Sequence, residues 1–353
     1  VLTSWVAVWL VVVAALIGQT RPIAAQTRGW ERDGLEGRQV RALAIEPRSA
    51  AMMALSGGAR DPYPLWVRND RGWSQPGAAP SFILALAPLP EGGLLLGTGR
   101  DIADQPGVFL LTDNSTHYHR LYDVQAVGVL AVARGGPGSD VYVASAPWAD
   151  REAGSELLWW EAASGSWSVV FQGTLECGET RSYFKQIMLV PSSPTSLFAL
   201  EWCFSAVAQQ TQLWRSDDQG RNWMALPTGT AHPLISAAAV DPLDAEILYL
   251  AGMAETSQPG VAQSLDGGYT WTLKGETVDG LVDIRVLLVD PRASWRVLAG
   301  TQRNGVFMSE DYGETWAALP GLGGLRIWSL VVDEAGGRLL AATSDGVWRT
   351  ELP

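Results

Sequence analysis

The chain has 353 residues and a formal net charge of −12, with 47% apolar and 18% charged residues. A half-apolar chain with 17 Trp can bury a large core, which argues against intrinsic disorder. The acidic balance argues against a nucleic-acid partner, whose phosphates need clustered Lys and Arg.

Trp5 to Ile17 is an unbroken apolar run of 13 residues, followed by Gly18, Gln19, Thr20, Arg21 and Pro22. It falls short of the ~20 residues of a membrane span and suits the apolar region of a signal peptide. Ile23-Ala24-Ala25 offers small residues for cleavage, although no Lys or Arg precedes the run. Residues 1–25 are therefore expected to be an export leader, with an uncleaved anchor as the alternative and the only route to a membrane. Residues 26–353 are expected to form the folded domain, secreted or periplasmic.

The rest of the chain is periodic. Arg28-Gly29-Trp30-Glu31-Arg32 reads as an isolated strand. Seven hairpins of alternating apolar strands follow, starting near Val40, Phe82, Val127, Lys185, Ile235, Ile284 and Ile327. Ser236 to Val240, a turn at Asp241-Pro242, and Ile247 to Leu250 form one of them. A third strand with an aromatic follows each hairpin, at Trp66, Phe109, Trp160, Trp214, Phe307 and Trp348, with Ala262 in that place in the fifth repeat. Anchor aromatics then recur at Trp30, Trp73, Tyr118, Trp167, Trp223, Trp271 and Trp316.

Three anchors close near-identical octapeptides of pattern S-x-D-x-G-x-[TN]-W. They run from Ser216 through Asp218 and Gly220 to Trp223, from Ser264 through Asp266 and Gly268 to Trp271, and from Ser309 through Asp311 and Gly313 to Trp316. The physics is that of a hairpin turn: Asp bonds backbone N–H groups nearby, Gly supplies positive φ, and Trp anchors the returning strand. A period in the forties with several strands per unit reads as a β-propeller. The last repeat ends one strand short and the N-terminal strand is one too many. The expected fold is therefore all-β: a single seven-bladed propeller of four-stranded blades, the N-terminal strand closing the last blade, with six or eight blades as alternatives.

The octapeptide resembles the Asp-box, or bacterial neuraminidase repeat, and the resemblance to Asp-box propellers covers nearly all of residues 28–353. In size, single ring and leader the chain is similar to the assembly- and stability-factor propellers of photosystem II, which implies protein binding without catalysis. Sialidases of the same resemblance carry an Arg-Ile-Pro motif that does not occur here; Arg21-Pro22-Ile23 is a scrambled version in the leader.

In such a ring the octapeptides lie on one face and the longer loops on the other, so binding residues are sought on the loop face. The candidates are Arg60, Asp61, Tyr63, Arg100, Asp101, Trp148, Arg151, Arg181, Arg303 and Arg326, with Asp104, Asp150, Glu152, Glu179 and His232 beside them. The expected function is a rigid scaffold that binds a protein or glycan ligand, acting as a monomer. The alternative is a glycoside hydrolase using carboxylates such as Asp61, Asp101 or Glu152. Three His, no zinc spacing and no phosphate-binding Gly loop lead to the expectation of no metal and no cofactor. Cys177 and Cys203 are expected to pair as a disulfide in an exported chain.

Overall fold

Strand-forming apolar runs separated by tight turns fold back on one another seven times, giving seven four-stranded antiparallel sheets. The computed structural model describes residues 29–46, 49–57, 64–76, 80, 82–89, 92–99, 107–111, 118–123, 128–135, 140–146, 155–161, 163–177, 180–205, 209–228, 234–252, 260–275 and 278–352.

The innermost strands of blades 1 to 7 are Val40–Ile45, Ile83–Pro88, Gly128–Gly135, Tyr183–Leu189, Ile235–Asp241, Ile284–Asp290 and Ile327–Asp333. The second strands are Met52–Ser56, Leu94–Thr98, Asp140–Ala146, Leu197–Phe204, Asp244–Gly252, Ala293–Thr301 and Arg338–Thr343. The third strands are Leu65–Asn69, Gly107–Leu111, Glu156–Glu161, Gln209–Ser216, Val261–Ser264, Val306–Ser309 and Gly346–Glu351. Outer strands complete blades 1 to 6, and Glu31–Gly34 is the outer strand of blade 7. The chain thus forms a seven-bladed β-propeller closed by its N-terminal strand, which begins three residues later than the sequence suggests.

The core is distributed, one cluster or pair of clusters to each interface between blades. Leu213, Phe198 and Leu226 of blade 4 meet Ile235, Leu248 and Leu250 of blade 5. Val40, Leu43 and Met52 of blade 1 meet Leu340, Ala342 and Val347 of blade 7, so the ring is sealed on itself. A blade is covered on both faces, and the second strands Met52–Ser56 and Leu94–Thr98 are accordingly buried at every position.

In four blades cross-strand volumes compensate, whereas Phe109 of blade 2 faces Leu96 and Trp160 of blade 3 faces Val141. The third-strand aromatics Trp66, Trp214, Phe307 and Trp348 stand opposite Ala54, Ala199, Ala299 and Ala341 of the second strand. In blade 5 the sizes are exchanged, and Ala262 stands opposite Leu250. Close packing at constant volume accounts for the one repeat that lacks the aromatic.

Each octapeptide folds identically. The Ser264 hydroxyl donates to Asp266 at 2.7 Å and accepts from the Gly268 N–H at 2.8 Å. Asp266 accepts from the N–H groups of Tyr269 and Thr270 and from the Thr270 hydroxyl. The Trp271 indole N–H then closes onto the Gly268 carbonyl at 3.0 Å. Gly220, Gly268 and Gly313 take φ of +87°, +98° and +90°, the left-handed region that only Gly adopts without steric cost.

The octapeptide also docks one blade on the next. The carbonyl of its fourth residue accepts a hydrogen bond from the preceding blade in all three copies. Tyr142 donates to Gln219 at 3.2 Å, Arg215 to Gly267 at 3.0 Å, and Tyr249 to Tyr312 at 3.5 Å.

Candidate functional site

The seven innermost strands share an irregularity. Each carries a β-bulge at the second or third residue from its loop-face end, where one extra residue is inserted opposite the second strand. The inserted residues in blades 1 to 7 are Arg41, Leu84, Leu130, Lys185, Ser236, Arg285 and Trp328. Bulges bend the strand and re-aim a side chain. Seven of them at one level of the innermost strands place these residues around the mouth of the ring.

The rim so formed is asymmetric. Blade 2 contributes Leu84, whereas blades 4, 6, 7 and 1 contribute Lys185, Arg285, Trp328 and Arg41. Arg41 and Arg326 both stack on the Trp328 ring, with guanidinium carbons 4.2 and 4.5 Å from its centroid. Arg326 is fixed by its backbone, whose N–H donates to the Ser344 hydroxyl and whose carbonyl accepts from the Ser344 N–H. Burial, together with Arg285, Arg41 and Arg303, pulls the Arg326 pKa down; Asp283 opposes them. Asp283 sits at φ +55°, and its carboxylate meets Arg285 at 2.9 Å.

On the other side of Arg285 stands Lys185. Its ammonium lies 3.9 Å from the Trp202 ring centroid and donates to the Ser236 carbonyl of blade 5. Burial, and secondarily Arg285, lowers its pKa to about 7. Trp202 continues into an aromatic group, with Tyr183 at 6.2 Å and Phe204 at 4.9 Å between ring centroids.

Four N–H groups here are buried without a hydrogen-bond partner among the described residues: Nε of Arg41 and Arg285, and Nε1 of Trp202 and Trp328. A buried polar group ordinarily has a partner, and each of these is a donor. The arrangement therefore offers positive charge and unused donors together, the chemistry that receives an anionic acceptor such as a carboxylate.

Beside the rim, Glu201 is fully buried. It accepts from the N–H groups of Thr174 and Leu175, the Ser182 hydroxyl and the Trp214 indole. This carboxylate pins Thr174, Leu175 and Ser182 to blade 4. The same segment holds a small hairpin of Glu176–Cys177 and Thr180–Arg181. Cys203 lies inside the second strand, is fully buried, and is disulfide-bonded; Cys177 is the chain's one other cysteine.

Of the sequence candidates, Arg326 and Arg303 belong to the rim group. Arg181 stands in the hairpin of the 173–182 segment. Arg60, Asp61, Tyr63, Arg100, Asp101, Asp104, Trp148, Asp150, Arg151, Glu152, Glu179 and His232 lie outside the described residues, as do residues 1–25. Ser216, Asp218, Gly220, Ser264, Asp266, Gly268, Ser309, Asp311 and Gly313 build turns at the opposite end. Arg41, Lys185, Arg285 and Trp328 were not singled out. Superposing the seven hairpin starts would have shown them, since each takes the second or third place of its strand. Among the described residues no group of three His, Cys, Asp or Glu side chains converges on a common point.

No family model matches the chain, and no curated protein matches it. Among solved structures it is similar to the crystal structure of the GH74 enzyme of Niastella koreensis, with a TM-score of 0.49 and 13% sequence identity. The match covers 85% of this chain and 53% of that one, so the chain spans about half the length of that enzyme. At that level the likeness carries no functional argument.

Proposed function

We propose that this protein is an exported, non-catalytic scaffold of the Asp-box propeller kind whose loop-face rim captures an acidic segment of a partner. The observation that carries the reading is the convergence of Arg41, Lys185, Arg285 and Arg326, with four unused buried N–H donors among them and Trp202 and Trp328. Among the described residues one acid, Asp283, stands beside these basic groups and is engaged with Arg285. So composed, the site suits carboxylate-bearing ligands, and its described residues supply no pair of carboxylates for general acid and base work.

Calorimetric titration of an Asp/Glu-rich peptide into the protein tests this. Binding should weaken steeply with salt and fall about tenfold or more in Arg326→Gln combined with Arg41→Gln. A peptide with Lys in place of the acids should not compete with it for the rim. Unchanged affinity in the double variant would sink the rim as the binding site.

The hydrolase alternative predicts two carboxyl groups roughly 5–9.5 Å apart. Its candidates Asp61, Asp101 and Glu152 are outside the described residues. Turnover of a fluorogenic glycoside panel, abolished by their replacement, would decide for it over the scaffold.

A further inference from the structure

The face opposite the rim collects exposed apolar side chains. Of nine large hydrophobic residues exposed among those described, six lie at the octapeptide end of blades 4 to 6: Met224, Leu243, Leu265, Tyr269, Trp295 and Tyr312. Leu265 and Leu243 are the most exposed, at 66% and 60%. Hydrogen bonds join the segments that carry them into one surface. The Tyr269 hydroxyl donates to the Met224 sulfur at 3.9 Å, and the Gly267 N–H donates to the Glu246 carbonyl at 2.9 Å. Asp241 accepts from the Leu243 N–H and the Ser294 hydroxyl, and the Tyr312 N–H donates to the Trp295 carbonyl at 2.9 Å.

Three of the six stand at positions the turn leaves free. Leu265 and Tyr269 are the second and sixth residues of the blade 5 octapeptide, and Tyr312 is the fourth of blade 6. Tyr312 takes φ +60°, as Gln219 does at +63° in blade 4, where blade 5 has Gly267 at +74°. A bulky residue in the left-handed region carries a local backbone cost, and Tyr312 leaves 42% of its surface exposed there.

Around this apolar centre the charge is acidic. Asp217, Glu246 and Glu314 are exposed, with Glu310 half-buried. The cations that meet them, Arg215, Arg296 and Lys274, are largely withdrawn from solvent. An apolar centre with Trp, Tyr and Met inside a charged margin has the anatomy of a protein interface. The aliphatic Leu243 and Leu265 at its most exposed points do not suit a sugar ring, and the acidic margin repels anionic lipid.

We propose that the octapeptide face of blades 4 to 6 docks a partner protein through a segment of apolar or aromatic side chains flanked by Lys or Arg, independently of the rim. The charge of the margin selects the basic flanks.

The test titrates an amphipathic Leu/Lys peptide of 14 residues against the full chain by calorimetry. Binding should fall at least tenfold in Leu243→Ser combined with Leu265→Ser, and be unaffected by Arg326→Gln. Tyr312→Gly should weaken binding while leaving the melting temperature equal or higher, a pairing that a purely structural Tyr would not give. A Leu/Glu peptide of the same pattern should not bind here, so any affinity it has for the rim should be unchanged in the double serine variant. The proposal is overturned by absent binding of the Leu/Lys peptide, by its equal binding in the surface variants, or by a Leu/Glu peptide whose binding the double serine variant weakens as much. Patch-dependent binding of phosphatidylcholine vesicles or of cello-oligosaccharides in place of the peptide would overturn it as well.

Discussion

In blade 6 an octapeptide joins the third strand to the outer strand; in blade 7 the same two strands come from opposite ends of the chain. The blade 6 joint is a covalent turn held by local hydrogen bonds, from the Gly313 N–H to the Ser309 hydroxyl and from the Thr315 N–H to the Asp311 carboxylate. Blade 7 has no such turn, and ion pairs take its place. Arg349 of the third strand meets Asp33 at 3.1 Å and Glu31 at 3.2 Å on the outer strand. Arg32 meets Asp345 at 2.8 Å and stacks on Trp348 at 4.6 Å. Asp33, almost fully buried, also meets Arg68 of blade 1 at 2.9 Å, and its carbonyl accepts from the Trp73 indole. Where the chain is continuous, short-range hydrogen bonds suffice. Where two ends must find each other, longer-range charge holds the register.

The comparison can be broken most severely at the closure. Removing residues 29–34 exposes the edge of Gly346–Glu351 and strips Arg349 and Arg68 of their buried partner. The melting temperature should fall by about 10 °C or more, the largest effect of any change of similar size. Differential scanning calorimetry measures it, and an unchanged value would mean that the outer strand does not close the ring.

A single octapeptide is the next target. Asp266→Ala deletes an acceptor used by four donors and should cost about 2–3 kcal/mol by chemical denaturation. Hydrogen bonds from Thr270, reinforced by Ser264 and Tyr269, lower the Asp266 pKa from 3.8 to about 2. A carboxylate held low contributes its stability above its unfolded pKa and loses it as pH falls through the folded one. The gap between wild type and Asp266→Ala should therefore be full at neutral pH and close between about pH 4 and pH 2. A gap that is the same at both ends of this range would show that the carboxylate charge plays no part in the turn.

The finest distinction lies in salt response. Arg349→Met and Tyr249→Phe should each cost about 1 kcal/mol, the first from an ion pair and the second from neutral hydrogen bonds of a hydroxyl that donates to Tyr312 across blades and accepts from Gln263. Raising ionic strength toward 1 M shortens the screening length to about 3 Å, which should shrink the Arg349 effect and leave the Tyr249 effect unchanged. Urea midpoints at two salt concentrations separate them; parallel responses would erase the contrast between the two kinds of joint.

Much of this architecture is legible in the primary structure because its determinants are local. An octapeptide satisfies its own N–H groups within eight residues, so Ser264, Asp266 and Gly268 announce a turn without reference to any other blade. Third-strand aromatics announce their strands for the same reason, and even Ala262 is explained one register step away by Leu250. The rim is different. Arg41, Lys185, Arg285 and Trp328 are separated by 40 residues or more at each step, and no turn motif marks the bulges that aim them.

What the sequence by itself determined is the repeat: seven hairpins, their third strands, the octapeptide turns and a spare N-terminal strand, each set by hydrogen bonds and alternation within a few residues. What only the tertiary structure decided is which side chains meet. Closing the ring brings innermost strands from all seven blades to one axis, so that scattered arginines in an acidic chain become a cationic rim. The same closure tiles three octapeptides into an exposed apolar face. Convergence of this kind depends on through-space distance, which no local pattern of residues encodes.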